Sequence, residues 1–271
     1  MAEITAQQVQ ALRAKTDIPM MDCKKALVEA GGDETKAIEI LRKRFADKMT
    51  DRADKEAANG RIGVYADGRA GALVEVRCET DFVANNEHFT ALANELAAHV
   101  AASGVTEVEA LKASRMPNGR TAQDLVVDAF GKLKENMNIN RAGRLTGACA
   151  GYVHHNGKVG VVIACDRDPG EAGRNVCMHI ASTGLILGLR REDVDAALVR
   201  EARERAAEEA RGKPPQILEK IVNGKMEKWY QERVLPEQPF VMDDKKSVGD
   251  YAREHGFTIQ AYLKYEVGGR K

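Results

Sequence analysis

The sequence predicts an α+β fold, in which a three-helix N-terminal domain precedes two duplicated α/β subdomains with small antiparallel sheets and an inserted antiparallel helical hairpin. Three observations predict it: helix-capping residues divide residues 1–46 into three segments, one β-hairpin pattern occurs twice, and a helix–break–helix pattern spans about 191–230. A length of 271 residues suits two domains, or one domain with appendages. Hydrophobic residues make up 44% of the chain, enough to bury a core.

The first 46 residues are predicted to form three short helices. Residues that commonly begin or end helices divide this segment at Thr5 with Gln8 (a capping box), Asp22, Gly31-Gly32 and Asp33. Three helices in so short a segment make a domain with a very small core. Residues 47–60 are polar and lack periodicity, and we interpret them as a linker.

The next part of the chain contains one hairpin pattern twice. Gly68 and Gly71 recur as Gly157 and Gly160, each 89 positions later and each flanked by apolar strands. The Asp-Gly and Asn-Gly pairs that contain Gly68 and Gly157 are typical of type I′ turns. Chance similarity of two hairpins is the alternative. The shared spacing, and the helical segment that follows each hairpin, favour duplication.

Each hairpin is expected to need further elements. An isolated two-stranded hairpin is marginally stable in water, so each copy should gain a third strand and pack against a helix. Candidate third strands are residues 137–140 and 262–267. We therefore place the first subdomain at 61–141 and the second at 142–271, the latter ending in a module at about 245–271.

A helical hairpin is predicted inside the second subdomain. The first arm, within about 191–210, is dense in Ala, Glu and Arg, residues 212–215 (Gly-Lys-Pro-Pro) interrupt it, and apolar residues then continue at helical spacing. This pattern is typical of two antiparallel helices joined by a tight turn. Because the first arm has few large apolar residues, we expect it to project into solvent or to meet a partner.

Composition argues against nucleic-acid and membrane partners. Lys+Arg and Asp+Glu both total 41, so the net charge is zero, whereas nucleic-acid binders usually carry a basic excess or stripe. The N-terminus lacks the plan of a signal peptide, and no apolar run approaches the length of a membrane span. We expect a cytoplasmic protein without direct nucleic-acid or membrane binding.

The sequence contains no recognisable catalytic or cofactor motif. No Gly-rich phosphate loop, GxSxG or HExxH pattern occurs, and the scattered cysteines form no CxxC pair. We expect reduced thiols, no cofactor, no metal site, and a binding protein that is not an enzyme. Two alternatives remain at this stage: an enzyme that uses Cys78 beside Glu79, and a non-catalytic ribosome- or RNA-associated accessory protein.

Residues Thr80, Asp81, Phe82 and Val83, hereafter the 80–83 turn, are the most informative segment. A strand-like run at 72–76 precedes them and an amphipathic helical pattern at 89–100 follows, so Phe82 lies on a strand-to-helix turn. Aromatic residues make up 5% of the chain, and one on a turn indicates either a functional contact or a side chain folded back onto the core. At the equivalent position 89 residues later, the second copy has Glu171 and no aromatic residue.

Several motifs together resemble translation elongation factor Ts, the family of guanine-nucleotide exchange factors for elongation factor Tu. Residues 80–85 read Thr-Asp-Phe-Val-Ala-Asn, and residues 20–27 read Met-Met-Asp-Cys-Lys-Lys-Ala-Leu. Further matches follow in the same order at 135–139, 178–181, 212–214 and 238–241. The resemblance covers residues 4 to about 267. It implies a ubiquitin-associated-like N-terminal domain before the two subdomains.

The resemblance also implies a partner and a role for particular residues. The partner is elongation factor Tu, in its GDP-bound and nucleotide-free states, and higher-order assembly of the heterodimer is left open. In the family, the segment that matches the 80–83 turn inserts between helices of the partner's nucleotide-binding domain and helps to displace its Mg²⁺. That role falls on Thr80, Asp81, Phe82 and Val83.

Two other contacts are implied by the same resemblance. Leu12, Met20 and Met21 match an N-terminal contact to the partner, although spacing alone favours a core role for the two methionines as much as a contact. Tyr152-Val153-His154 matches a Tyr-x-His contact on the second hairpin. His155 adjoins it, so the sequence leaves open which histidine makes that contact.

Overall fold

A computed structural model describes residues 4–269, and its helices and small antiparallel sheets confirm the predicted α+β fold class. The N-terminal domain contains α1 (Ala6–Thr16), α2 (Met20–Glu29) and α3 (Glu34–Asp51). The first subdomain contains β1 (Asn59–Ala66), β2 (Ala70–Cys78), α4 (Asp81–Ala84), α5 (Glu87–Ser103), α6 (Val108–Ala113), α7 (Ala122–Leu133) and β3 (Met137–Thr146). The second contains β4 (Ala148–Val153), β5 (Val159–Cys165), α8 (Gly170–Ser182), α9 (Ala196–Glu209), α10 (Pro215–Gln231), β6 (Pro239–Phe240), β7 (Asp243–Ser247), α11 (Val248–Glu254) and β8 (Ile259–Glu266).

The starts of the three N-terminal helices agree with the predicted capping residues at two of three places. Thr5 forms the predicted capping box with Gln8, and Asp33 caps α3 by accepting the backbone N–H of Lys36. The prediction for Asp22 is wrong. Helix α2 begins at Met20, directly after Pro19, so Asp22 lies inside the first turn. There the negative charge of Asp22 interacts favourably with the positive end of the helix dipole, but its side chain does not cap α2.

The predicted linker at 47–60 is too long. Helix α3 continues to Asp51, and β1 begins at Asn59, so residues 52–58 make the connection. The charged residues of this stretch form the solvent-facing side of α3, while Phe45 is buried and Met49 packs against the core. Because only Met49 among residues 47–51 packs against the core, the sequence of this last part of α3 shows no helical periodicity.

The N-terminal domain packs against the first subdomain through α3 and α7. The Phe45 ring lies against the α7 backbone, where a Cβ at Gly131 would be 2.7 Å from two of its carbon atoms, and it makes an edge contact with Phe130. An ion pair between Arg42 Nε and Asp128 Oδ1 (3.1 Å) flanks this contact. The three-helix domain is thus fixed against the first subdomain by a close aromatic contact.

The two sheets have the same topology. Their strand orders are β1-β2-β3 and β4-β5-β8, all antiparallel, and β3 and β8 contain most of the predicted third-strand residues. β1 begins at Asn59 and β4 at Ala148, again 89 residues apart. The register shifts once in each sheet, between Glu75 and Val76 in β2 and between Ala164 and Cys165 in β5, at equivalent positions of the repeat. This shared irregularity supports duplication.

The type I′ prediction for the two hairpin turns is wrong. Type I′ requires positive φ at both central residues, and Gly68 has no positive φ. Instead the Asp67 carboxylate accepts the backbone N–H groups of Arg69 (2.7 Å) and Ala70 (2.8 Å). In the second hairpin Gly157 has φ of 71°, but the chain takes four residues, 155–158, to turn. A side-chain acceptor thus supports each turn, since Asn156 Oδ1 accepts the backbone N–H of Lys158 (2.9 Å) in the second hairpin.

The two sheets pack face to face, and glycine allows them to approach. Along β2 the buried side chains at alternate positions contact α5, while the intervening ones face the other sheet. A Cβ at Gly71 would lie 2.4 Å from Val162 Cγ1, and a Cβ at Gly160 would lie 2.4 Å from Ile62 Cγ2. Gly71 and Gly160 occupy equivalent repeat positions, so each copy provides one gap for the other. Helices α5 and α8 cover the outer faces.

A buried carboxylate links both subdomains at one edge of this interface. Glu75 is fully buried and accepts hydrogen bonds from Arg141 Nε (2.6 Å), from Arg77 and from the backbone N–H of Gly268 (3.2 Å). Burial raises the pKa of Glu75, but the Gly268 N–H and the Arg141 guanidinium outweigh it, and the net pKa is lowered. Glu75 therefore remains charged, since its partners replace the lost hydration.

The substitution Gly71→Ala is expected to lower the free energy of unfolding by about 1–3 kcal/mol, because the new methyl group overpacks the interface between the sheets. Urea denaturation with an unchanged m-value measures it. Gly68→Ala is the matched control: the same hairpin, the same added methyl group, no atom within 4 Å and no positive φ. An equal effect of the two substitutions would contradict the close approach of the sheets.

Candidate partner-binding site

Phe82 projects from the surface of the first subdomain. Its side chain is 86% exposed, whereas the next two residues, Val83 and Ala84, are buried in the core. The structure therefore excludes the alternative in which Phe82 folds back onto its own core. Asp81 beside it is also exposed. An aromatic side chain held in water on an anchored backbone is an apolar surface that residues 4–269 leave uncovered.

Local hydrogen bonds explain why the chain turns at this point. Thr80 caps α4, and its Oγ1 accepts the backbone N–H of Val83 (3.3 Å). Asn85 Nδ2 donates to the carbonyl of Asp81 (2.9 Å), and Asn86 begins α5 by accepting the N–H of His88 (2.9 Å). Two caps in succession divide what could be one helix into α4 and α5.

The second subdomain lacks this division. Helix α8 begins at Gly170, which is 89 residues after the first residue of α4, Asp81, and it continues unbroken to Ser182. Its first residue follows Pro169, which makes no side-chain cap. The short exposed helix with Phe82 is therefore a feature of the first copy alone, although both copies share the underlying scaffold.

An ion pair lies behind the 80–83 turn. Glu79 accepts three hydrogen bonds from Arg52, at the end of α3, and one from the backbone N–H of Asn136 (2.6 Å). The pKa of the Glu79 carboxyl is lowered, first by the Asn136 N–H and then by Arg52, although burial opposes this. The turn thus begins from a residue that is bonded to both neighbouring segments.

The three N-terminal residues singled out from the sequence differ in their placement. Met20 and Met21, at the start of α2, are 44% and 62% exposed, so a core role is excluded for both. Leu12 requires a correction, because its side chain is fully buried in the core of the three-helix domain with Leu27 and Leu41. A direct side-chain contact is therefore not available to Leu12. Its position under α2 supports the exposed methionines.

The second hairpin borders an apolar groove of about 550 Å³. His154 lines it and is oriented by a hydrogen bond between its Nδ1 and the Tyr152 hydroxyl (3.0 Å), whereas His155 is exposed on the turn outside the lining. Sequence reasoning missed two members, Val241 and Met242, which are 56% and 49% exposed. The motif at 238–241 was the signal that could have found them. His154 is thus the histidine on the apolar groove.

The alternative of catalysis at Cys78 has no chemical support in the geometry. The thiol is buried, donates to the backbone carbonyl of Thr80 (3.2 Å), and burial raises its pKa to about 12, so it is protonated at neutral pH. All five cysteines are free and buried. Across residues 4–269, no group of three His, Cys, Asp or Glu side chains could hold a metal ion. Nor does any helix in this range have the length and apolar character needed to cross a membrane.

The chain is similar to one protein family along nearly its whole length. A family model described as Elongation factor TS matches residues 79–269. The chain is 43% identical to Elongation factor Ts of Hyphomonas neptunium, over 99% of this chain and 93% of that protein. It is 41% identical to Elongation factor Ts of an Azoarcus species (99% and 92%) and 40% identical to that of Streptomyces griseus (99% and 100%).

The difference in exposure between Phe82 and Val83 predicts that substitutions at these neighbouring positions affect stability unequally. Phe82→Ala should change the free energy of unfolding by less than about 0.5 kcal/mol, because the side chain contributes nothing to the core. Val83→Ala should lower it by about 1–2 kcal/mol, since two buried carbons are lost. Urea denaturation of both variants measures the difference. A marked loss for Phe82→Ala would mean that the ring packs onto the chain in solution.

The contribution of the Glu79–Arg52 ion pair to stability should be lost at low pH. A lowered pKa means that Glu79 contributes stability above the ordinary glutamate pKa of about 4.3, and that this contribution is lost as the pH falls through the lower folded-state value. Glu79→Gln should cost about 1–3 kcal/mol at pH 7, a difference that shrinks below about pH 4.

Urea denaturation of the parent protein and of the Glu79→Gln variant between pH 7 and pH 3 measures the difference in their free energies of unfolding. Glu109→Gln is the control, because Glu109 forms an exposed pair with Lys112 that is worth less than about 1 kcal/mol. A difference for Glu79→Gln that persists unchanged at pH 3 would contradict the ion-pair interpretation.

Proposed function

The chain belongs to the elongation factor Ts family, and we propose that it is a guanine-nucleotide exchange factor that acts on elongation factor Tu. It binds the GDP-bound partner, promotes release of GDP, and leaves a nucleotide-free complex that GTP can enter. The observation that carries the proposal is the 86% exposure of Phe82 on a turn that Thr80 caps and that buried Val83 anchors in the core.

The proposed mechanism is an exchange of binding energies. Nucleotide affinity in such GTPases depends on Mg²⁺, which bridges the phosphate oxygens and neutralises their charge. Insertion of Thr80, Asp81, Phe82 and Val83 near that site displaces the helices that support the ion. The factor stabilises the partner conformation that binds nucleotide weakly, and by linkage nucleotide must weaken binding of the factor equally. No covalent bond is made or broken, so the protein is not an enzyme in this proposal.

The size of the Phe82 contribution can be bounded. A phenylalanine side chain buries about 150–250 Å² at about 25 cal/mol/Å², and with 86% of it available here the gross gain is about 3–5 kcal/mol. Shifting a two-state partner from 1:99 to 99:1 requires about 5.5 kcal/mol of differential affinity. Even the gross gain from burying Phe82 is smaller than the differential affinity that such a shift requires.

Contacts in addition to Phe82 are therefore needed to bind the partner. Two exposed apolar surfaces of the chain are suited to make them. One is formed by Met20 and Met21 on α2, whose flexible thioether side chains suit an adaptable contact. The other is the groove with His154, Val241 and Met242. We propose that these two surfaces anchor the partner while the 80–83 turn acts near its nucleotide. A role in binding ribosomal RNA finds no such support, since the net charge of the chain is zero.

Phe82→Ala is expected to slow GDP release from elongation factor Tu, at saturating factor, by about thirtyfold or more, which corresponds to a loss of about 2 kcal/mol at a hot spot. Release of a fluorescent GDP analogue in stopped flow measures it. Leu185→Ala is the control, because Leu185 is 65% exposed but lies in the second subdomain, after α8. An unchanged rate with Phe82→Ala would show that the ring is not the wedge.

A further inference from the structure

We propose that Glu135 is a positioning residue for Phe82, which it holds in place through Thr80; this inference rests on the proposed exchange function. Glu135 lies between α7 and β3, far along the chain from the 80–83 turn. Its carboxylate accepts the backbone N–H of Thr80 at Oε2 (3.0 Å) and the Thr80 hydroxyl at Oε1 (2.6 Å). Both oxygens are thus engaged with one residue of the turn.

The direction of these hydrogen bonds determines the helix cap. A hydroxyl has one proton to donate, and Thr80 donates it to Glu135. The oxygen lone pairs of Thr80 are then left for the N–H of Val83, which is the capping bond of α4. Without the carboxylate, the hydroxyl proton can turn toward other acceptors and the cap loses its orientation.

Helix α4 depends on such a cap because it is very short. It has four residues, and an isolated helix of that length does not form in water. The exposed ring of Phe82 adds no packing of its own. The orientation of Phe82 is therefore determined by the backbone of the turn, which Val83 and Ala84 anchor from the core and Glu135 holds at its first residue.

The backbone on both sides of Glu135 is held in place by neighbouring contacts, which position its carboxylate as an acceptor. The preceding residue, Lys134, ends α7 in the left-handed conformation (φ 61°). The following residue, Asn136, is buried, donates its N–H to Glu79 (2.6 Å) and its side-chain amide to the carbonyl of Lys55 (2.7 Å). The second subdomain has Pro169 where the first has Thr80, and no side-chain cap there. The Glu135–Thr80 contact thus occurs in the copy that bears Phe82.

Two variants of Glu135 test the inference without the partner. Glu135→Ala should raise the hydrogen-exchange rate of the Val83 and Ala84 amides about tenfold, while slowly exchanging amides of β2 are unaffected. Glu135→Gln keeps the side-chain size but can accept at one oxygen, and about threefold is expected. Glu109→Ala is the control and should change neither group of amides. A uniform rise across β2 would indicate a general loss of stability and would overturn a positioning role.

A double-mutant cycle with elongation factor Tu tests the consequence for exchange. Glu135→Ala should slow saturated GDP release about tenfold in the parent protein and by less than about twofold in the Phe82→Ala background, because the effect passes through Phe82. An equal slowing in both backgrounds would overturn the inference, as would an unchanged rate in the parent together with unchanged Val83 exchange. Failure of the proposed function is distinguishable, because Phe82→Ala alone would then leave the release rate unaltered.

Discussion

The close contact between the two sheets holds the two subdomains in their relative positions. Two glycines at equivalent positions of the repeat, Gly71 and Gly160, leave room for Val162 and Ile62 of the opposite sheet. A side chain at either position would overpack this interface and push the sheets apart. Because interiors are close-packed, that separation cannot be absorbed locally. The relative placement of the two subdomains, and of the surfaces they carry, therefore depends on glycine at this interface.

Duplication also explains how one copy became specialised. Both subdomains retain the hairpin, the third strand, the covering helix and a register shift at the same position of the repeat. They differ where the covering helix begins. Consecutive caps at Thr80 and Asn86 separate α4 from α5 in the first copy, whereas α8 is continuous in the second. A local change in capping can thus project an aromatic side chain from an otherwise conventional α/β unit.

Carboxylates connect the segments around that turn. Glu79 joins the end of α3 to the segment before β3, and Glu135 joins that segment to Thr80. Each carboxylate accepts hydrogen bonds from a backbone N–H group and from a side chain. Hydrogen bonds to an ionised carboxylate are shorter and stronger than those between neutral groups. These hydrogen bonds matter in the proposed exchange reaction, because Phe82 must displace helices of another protein. If its own turn deformed instead, less of its binding energy would act on the partner.

The features that depend on local chemistry could be predicted from the amino-acid sequence. The caps at Thr5 and Asp33, the repeat spacing of 89, the third strands and the turn that carries Phe82 all follow from capping residues, periodicity and turn residues, and the structure has them in place. Tertiary structure alone decided which side of each element is covered. It buried Leu12 while exposing Met20, extended α3 to Asp51, and brought Val241 and Met242 beside His154. Periodicity shows which residues share a face, but only packing against distant segments determines whether that face meets the core, a partner or water.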